Sequence, residues 1–358
     1  MTIQNATLYI WIYAGTFGSR PVDPAYVLYK EVKTGGDVIT FEISELVKDY
    51  VDVTFTGDYN SLVETAWVEW EMVRVYDDTS TDTLTGEYIA INGYGYFEDG
   101  INPLLPKATL ISNSVIYNLS GENMYIPILT GTDGAYKAEY YDGPTLLRTD
   151  TFGTSIVNIT ADTIDYTADT TNVTADMTFV PGASSNIIVR VIPPSDTTDI
   201  VVTKEDNLVE TFKVKTIEEC KYSPYKVSFL NKYGVVQDLW FFKRRDERLQ
   251  ISKSNYLQNT IQENSTGVNY SLNQASQVPT DFKVTKSLKL NTGFIDEQFN
   301  EVIQELMLAE SAWIHEDSQV YPILPTTSSL DYKTQLNDKL INFTVEFDYA
   351  YNEINLIK

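Results

Sequence analysis

KVSFLNKYGVVQDLWFF, residues 226–242, decides how the rest of the chain is read. Its first five residues have the content of a strand, 231–234 is turn chemistry, and 239–242 returns as an apolar run. The segment therefore predicts an antiparallel hairpin. Working outward, an Arg/Lys cluster follows at 243–248. A helix is predicted over 296–313, with Phe299, Val302, Ile303, Leu306 and Met307 as one apolar stripe, and 340–349 reads as a closing strand. None of these elements has the signature of an active site. The expected fold class is mainly β: multidomain, with sandwich-like or split-barrel-like units and one packed C-terminal α-helix.

The 358 residues exceed what one small core organises, so two or three domains are expected. The reading places an N-terminal β-rich domain at 1–106, a Thr/Asp-rich β domain at 107–198 and a β-dominated assembly domain at 199–358. A formal charge of −24 and a pI near 4.3 argue against direct sequence-specific nucleic-acid binding, which needs a basic footprint. The charge is uneven: residues 1–180 hold 8 Lys+Arg against 26 Asp+Glu, and 181–358 hold 18 against 24. The first half is thus the expected solvated exterior. The 25 Tyr and 15 Phe favour pleated surfaces and well-packed contacts. The single Cys220 rules out an internal disulfide and is expected to be a buried thiol. No basic-then-apolar leader and no 18-residue apolar run occurs, so neither leader-directed export nor membrane insertion is expected.

The opening segment 6–14, ATLYIWIYA, puts Leu8, Ile10 and Ile12 on one face of a strand and Tyr9, Trp11 and Tyr13 on the other. A strand with both faces apolar is a sandwich strand or an interface strand, and Tyr9, Trp11 and Tyr13 are the residues offered to a contact between subunits. Further strands are expected at 26–33 and 38–43, joined by Gly35-Gly36-Asp37, before Ser44 caps a short helix. Segment 66–76 reads as a core strand, and 93–106 as a surface loop with aromatic anchors. Strands follow at 108–116, 124–128, 134–141 and 146–147. Thr-Ala-Asp recurs at 160–162, 167–169 and 174–176, but the repeat lacks the apolar a/d pattern of a coiled coil, so short strands with Asp-bearing turns are expected. A strand at 185–192 ends at Pro193-Pro194, read as a domain edge. The last third adds strands at 208–217, 225–230, 235–242, 281–290 and 319–324.

Chemistry has few candidates. His315 is the only histidine, so any Ser–His or Cys–His arrangement must use it, and Cys and His together offer zinc only two soft ligands. Trp67, Glu69, Trp70 and Glu71 are the most sugar-like cluster, yet a strand with wet acids explains them. Asp77, Asp78 and Asp82, or Asp162, Asp165 and Asp169, do not follow the calcium-loop spacing, and no phosphate-binding glycine motif occurs. No catalytic, cofactor-binding or metal-binding residue is assigned, and no cofactor is expected. The basic island of Lys243, Arg244, Arg245 and Arg248 reads either as a solvated hairpin end or as a contact with the acidic 69–87 surface of a neighbouring copy.

The 226–242 segment resembles a strand–turn–strand of tail, neck and other virion structural proteins of tailed phages infecting Bacteroidota, where an FLN[RK][FY]G-like core precedes an aromatic pair. LKLNTGFIDEQFNEVIQELMLAESAWI at 288–314 and YKTQLNDKLINFTVEFDYAYNEI at 332–354 are similar to the closing module of the same group, so the resemblance spans residues 222–358. It implies a non-enzymatic structural protein, made in the host bacterial cytoplasm and built into the virion. There it would form a homo-oligomeric ring of about six or twelve copies in the connector, tail or baseplate, beside other virion structural proteins. The alternative is a carbohydrate- or cell-surface-binding module of a spike or fibre. A polysaccharide-degrading enzyme is the third class, and it would require a cleft with converging carboxylates.

Overall fold

The computed structural model describes residues 2–15, 18–32, 39–99, 108–130, 135–153, 188–265, 267–329 and 340–351. The chain is mainly β, with several sheets and, among the described residues, two α-helices. It divides into two compact units: Met1–Glu218 with Phe229–Asp238, and Glu219–Ser228 with Leu239–Lys358.

In the first unit, β1 (Ile3–Tyr13), β2 (Tyr26–Glu31), α1 (Ser44–Lys48), β3 (Thr65–Tyr76) and β4 (Thr81–Ile91) come first. Their strands form an antiparallel sheet in the order β2-β1-β3-β4. Alternation along β1 sends Leu8, Ile10 and Ile12 into a core with Val47, Val51, Ala66 and Val68. The opposite face is also covered, because Trp11 and Tyr13 bury against Trp67. Strand β4 was not foreseen, since TDTLTGEYIAI is polar and turn-like as text. Its Gly86 sits opposite Trp70, where an added Cβ would lie 2.5 Å from the indole, so the missing side chain makes room for the ring.

The next strands are β5 (Val115–Leu119), β6 (Ile126–Leu129), β7 (Ala135–Asp142), β8 (Thr145–Gly153), β9 (Ile188–Val191), β10 (Asp199–Lys204) and β11 (Asn207–Ile217). A five-stranded sheet runs β5-β11-β10-β7-β8, and β6 pairs with β9 as a separate ribbon. Ile126, Ile128 and Val191 of the ribbon join Tyr140, Ile200 and Phe212 of the sheet in one core, which is a two-layer arrangement. The expected boundary at 198/199 is corrected by this pairing: β10 binds β7 and β11 binds β5, so Pro193-Pro194 breaks a strand without ending the unit.

The second unit is built on β12 (Tyr225–Leu230), β13 (Val236–Phe241), β14 (Asp246–Leu257), β15 (Ile261–Asn264), β16 (Gly267–Tyr270), β17 (Gln277–Asp296), α2 (Phe299–Leu308), β18 (Ala312–Glu316), β19 (Gln319–Pro325) and β20 (Leu340–Tyr349). Seven strands form one sheet in the order β13-β12-β18-β19-β20-β17-β14, and the distal residues Phe229–Asp238 of the first hairpin count to the first unit. The 20-residue β17 pairs with β14 along its first part and with β20 along its second.

Several expectations change. Helix α2 covers only Phe299–Leu308, not 296–313, because Ala312, Trp313 and Ile314 are buried in succession. Three adjacent buried side chains need both faces of a strand, not one helical stripe. Residues 39–43 are irregular, not a strand. Ser44 lies inside α1 and its hydroxyl bonds to Glu42, so it does not cap the helix. Cys220 is exposed, not buried. The 35–37 turn and the Thr-Ala-Asp repeats fall outside the described residues.

Within α2, Phe299, Val302, Ile303 and Leu306 are buried as the stripe required, and Met307 is half-buried. Leu306 is 0% exposed, so Leu306→Ala is expected to destabilise the second unit by about 2–5 kcal/mol through lost transfer energy and a residual cavity. Urea unfolding of the variant checks this; an unchanged midpoint would contradict the packing.

Candidate functional site

The turn of the 226–242 hairpin is held by a dense set of hydrogen bonds. Asn231, 1% exposed, follows the apolar strand end and closes the turn with its own side chain. Its Oδ1 accepts the N–H groups of Tyr233 and Val235 at 3.0 and 3.3 Å, while Nδ2 donates to Leu110 O and Gln237 Oε1, both at 2.8 Å. Gln237 in turn donates to Asn113 Oδ1 at 3.1 Å. Buried polar groups are thereby matched as burial demands.

Gly234 has φ +72°, and a Cβ there would stand 2.6 Å from the Asn92 carbonyl carbon. The 92–94 segment meets this turn through its backbone, since Tyr94 N–H donates to Lys232 O at 2.8 Å and a Cβ on Gly93 would press on the same oxygen. Glycine is required at 234 on both conformational and steric grounds.

Beside the turn lies a buried ion pair. Arg190 Nη2 reaches both oxygens of Glu64 at 2.5 and 2.6 Å, with side chains 8% and 2% exposed. Glu64 also accepts the Val236 N–H at 2.7 Å, and this extra hydrogen bond offsets part of the desolvation cost of the pair. Tyr59 donates to Asp238 at 2.6 Å and stacks on Tyr125 with ring centroids 3.8 Å apart. Sequence reasoning missed Glu64, Arg190 and Asn113, because partners more than a hundred residues apart leave no local signal. Asn231 was legible only as a turn residue.

In the second unit, the unique histidine does find a serine: Ser228 Oγ and His315 Nε2 are 2.8 Å apart. Such a pair is half of a nucleophilic arrangement. Ser228, however, is 0% exposed, so its hydroxyl has no approach for a substrate, and the bond serves to satisfy buried polar atoms. Among the described residues, no group of three or more His, Cys, Asp or Glu is placed to hold a metal, and no helix is long and apolar enough to cross a membrane. Asp77, Asp78 and Asp82 diverge to Thr2, Ser80 and Arg74 respectively. In the sugar-like cluster, Glu69 bonds Tyr13 and Arg20.

The basic island is largely absorbed within its own chain. Arg245, 10% exposed at its side chain, bonds Glu316, Glu247 and the Tyr349 hydroxyl, and lies 4.5 Å over the Tyr225 ring. Lys243 bonds Glu219 at 2.6 Å, which holds that carboxyl below the usual range. Arg244 is exposed and bonds Asp246, and Arg248 is exposed. On the opening strand, Trp11 and Tyr13 are buried and Tyr9 is half-buried, so this aromatic face packs within the chain's own core. No family model, curated protein or solved structure matches the chain.

Two outcomes follow from this geometry. Gly234→Ala is expected to cost about 1–3 kcal/mol from the left-handed backbone alone, with more from the Asn92 contact; equal melting temperatures would contradict the reading. Burial raises the Tyr349 phenol above its ordinary value, and its hydrogen bond to the accepting carboxylate of Glu316 raises it further. The sign is that of a neutral form favoured by folding: its stabilisation is complete below about pH 10 and is lost as pH rises toward the folded value. Tyr349→Phe should flatten the loss of stability above about pH 10, and an identical alkaline profile would refute that.

Proposed function

We propose that the chain is a structural subunit of a tailed-phage virion, which joins copies of itself in a ring of the tail, neck or baseplate. One observation carries this reading. The 226–242 segment, on which the resemblance rests, is used throughout as scaffold: Asn231 closes the turn, Gly234 permits the approach of Asn92, and Val236 feeds the buried Glu64–Arg190 pair. A motif whose buried polar residues Ser228, Asn231 and Gln237 all bond within the chain supports a role in holding shape. The mainly β architecture and the aromatic composition agree with a rigid building block.

The test is the mass of the purified chain by analytical ultracentrifugation, together with mass spectrometry of purified virions. A closed species of about six or twelve 40.6 kDa copies, and the chain among the virion proteins, is the expected result. A trimer would favour a spike or fibre carrying a cell-surface-binding module. A strict monomer that binds glycans would overturn the ring.

A further inference from the structure

A third of the large apolar side chains exposed among the described residues lie in one short stretch. Of 24 large hydrophobic residues exposed among the described residues, eight fall between Leu249 and Leu272. This stretch comprises most of β14 and the β15–β16 hairpin. Strand β14 is exposed at all 12 positions and ends the order of the seven-stranded sheet, so one side of its backbone pairs with β17 and no strand among the described residues pairs with the other. Leu249, Ile251 and Leu257 are each at least half exposed along it, and Ile261 and Tyr270, paired across the β15–β16 hairpin, are exposed as well. A long apolar edge strand is a template for another strand unless something covers it.

Charge selects what covers it. Residues 246–289 hold five Lys+Arg and four Asp+Glu, and 254–280 contain Glu263 as their only charged residue, in a chain of net −24. Two copies of so acidic a protein repel one another over most of their surfaces. Residues 246–289, an arm of net charge +1, escape this, so a second copy can approach them without the repulsion that the acidic remainder imposes elsewhere. Within that remainder, residues 1–180 alone carry 26 Asp+Glu against 8 Lys+Arg.

We propose that the free edge of β14 takes a second copy of this chain by strand pairing, with the apolar side chains of 249–272 closing the contact. The proposal rests on the ring reading and deepens it by naming the surface that joins the copies. Backbone hydrogen bonds would supply the pairing, and alternate side chains the fit.

The experiment has two arms on the full chain. In the first, 252–283 are replaced by Asn-Gly, which joins the paired residues Ile251 and Val284 by a two-residue hairpin turn. In the second, the photo-reactive benzoylphenylalanine stands in place of the exposed Tyr256. The expected results are at least a tenfold weaker self-association with retained β-sheet circular dichroism in the first, and a covalent dimer of the purified chain in the second. A shortened chain that assembles like the wild type, or a Tyr256-site probe that never captures a second copy of an assembled protein, would overturn the arm while leaving the ring standing. Should the shortened chain not fold, the cross-link decides. A monomeric wild-type chain at all concentrations would overturn the ring reading and the arm with it. A cross-link formed only on addition of a different virion protein would assign the arm to that protein and overturn the proposal.

Discussion

The carboxamide of Asn231 is the constraint on which the first unit's hairpin tip depends. One buried side chain accepts two N–H groups of its own turn and donates to Leu110 and Gln237, so the turn cannot open without stranding several polar groups at once. Each such loss costs about 1–3 kcal/mol, and together they are comparable with the whole stability of an ordinary domain. Gly234 and the Glu64–Arg190 pair then follow as consequences. The tightened turn demands a left-handed residue against Asn92, and the strand leaving it presents the Val236 N–H to a buried carboxylate.

The second constraint is charge. A net charge of −24 makes copies repel, and several of the cations are used internally: Arg190 on Glu64, Arg74 on Asp82, Arg245 on Glu316 and Lys243 on Glu219. The two surfaces that sequence reasoning assigned to subunit contacts are thereby reduced. Arg245 is nearly buried and the Trp11/Tyr13 face is interior, leaving Arg244 and Arg248 as the exposed part of the island. Arg248 lies on β14, the edge strand that carries the exposed Leu249, Ile251 and Leu257.

Much of the fold was legible because period-two alternation is a direct record of which face is buried. Strands β1, β3, β7, β12 and β13 appear close to where alternation put them, and the helical stripe of α2 was readable from Phe299 to Leu306. Strands β4 and β14 were not, since TDTLTGEYIAI and DERLQISKSNYL lie at sheet edges, where burial leaves no alternating pattern. Partition of the chain was misread at Pro193-Pro194 because a proline pair marks a break in hydrogen bonding, and only strand pairing decides which sheet the next segment joins. Of the site, the turn was visible, but its buried partners at 64, 113 and 190 were not, being fixed by tertiary approach.

The central claim is that one hairpin is locked within the chain while one edge strand stands ready for a neighbour. Hydrogen–deuterium exchange, followed from dilute to concentrated protein, tests it most directly. The account predicts that the amides of Tyr233, Val235 and Val236 exchange slowly at every concentration, whereas the outward-facing amides of β14 exchange fast when dilute and become protected as copies associate. Fast exchange at 233–236, or β14 amides indifferent to association in a protein that does associate, would contradict it.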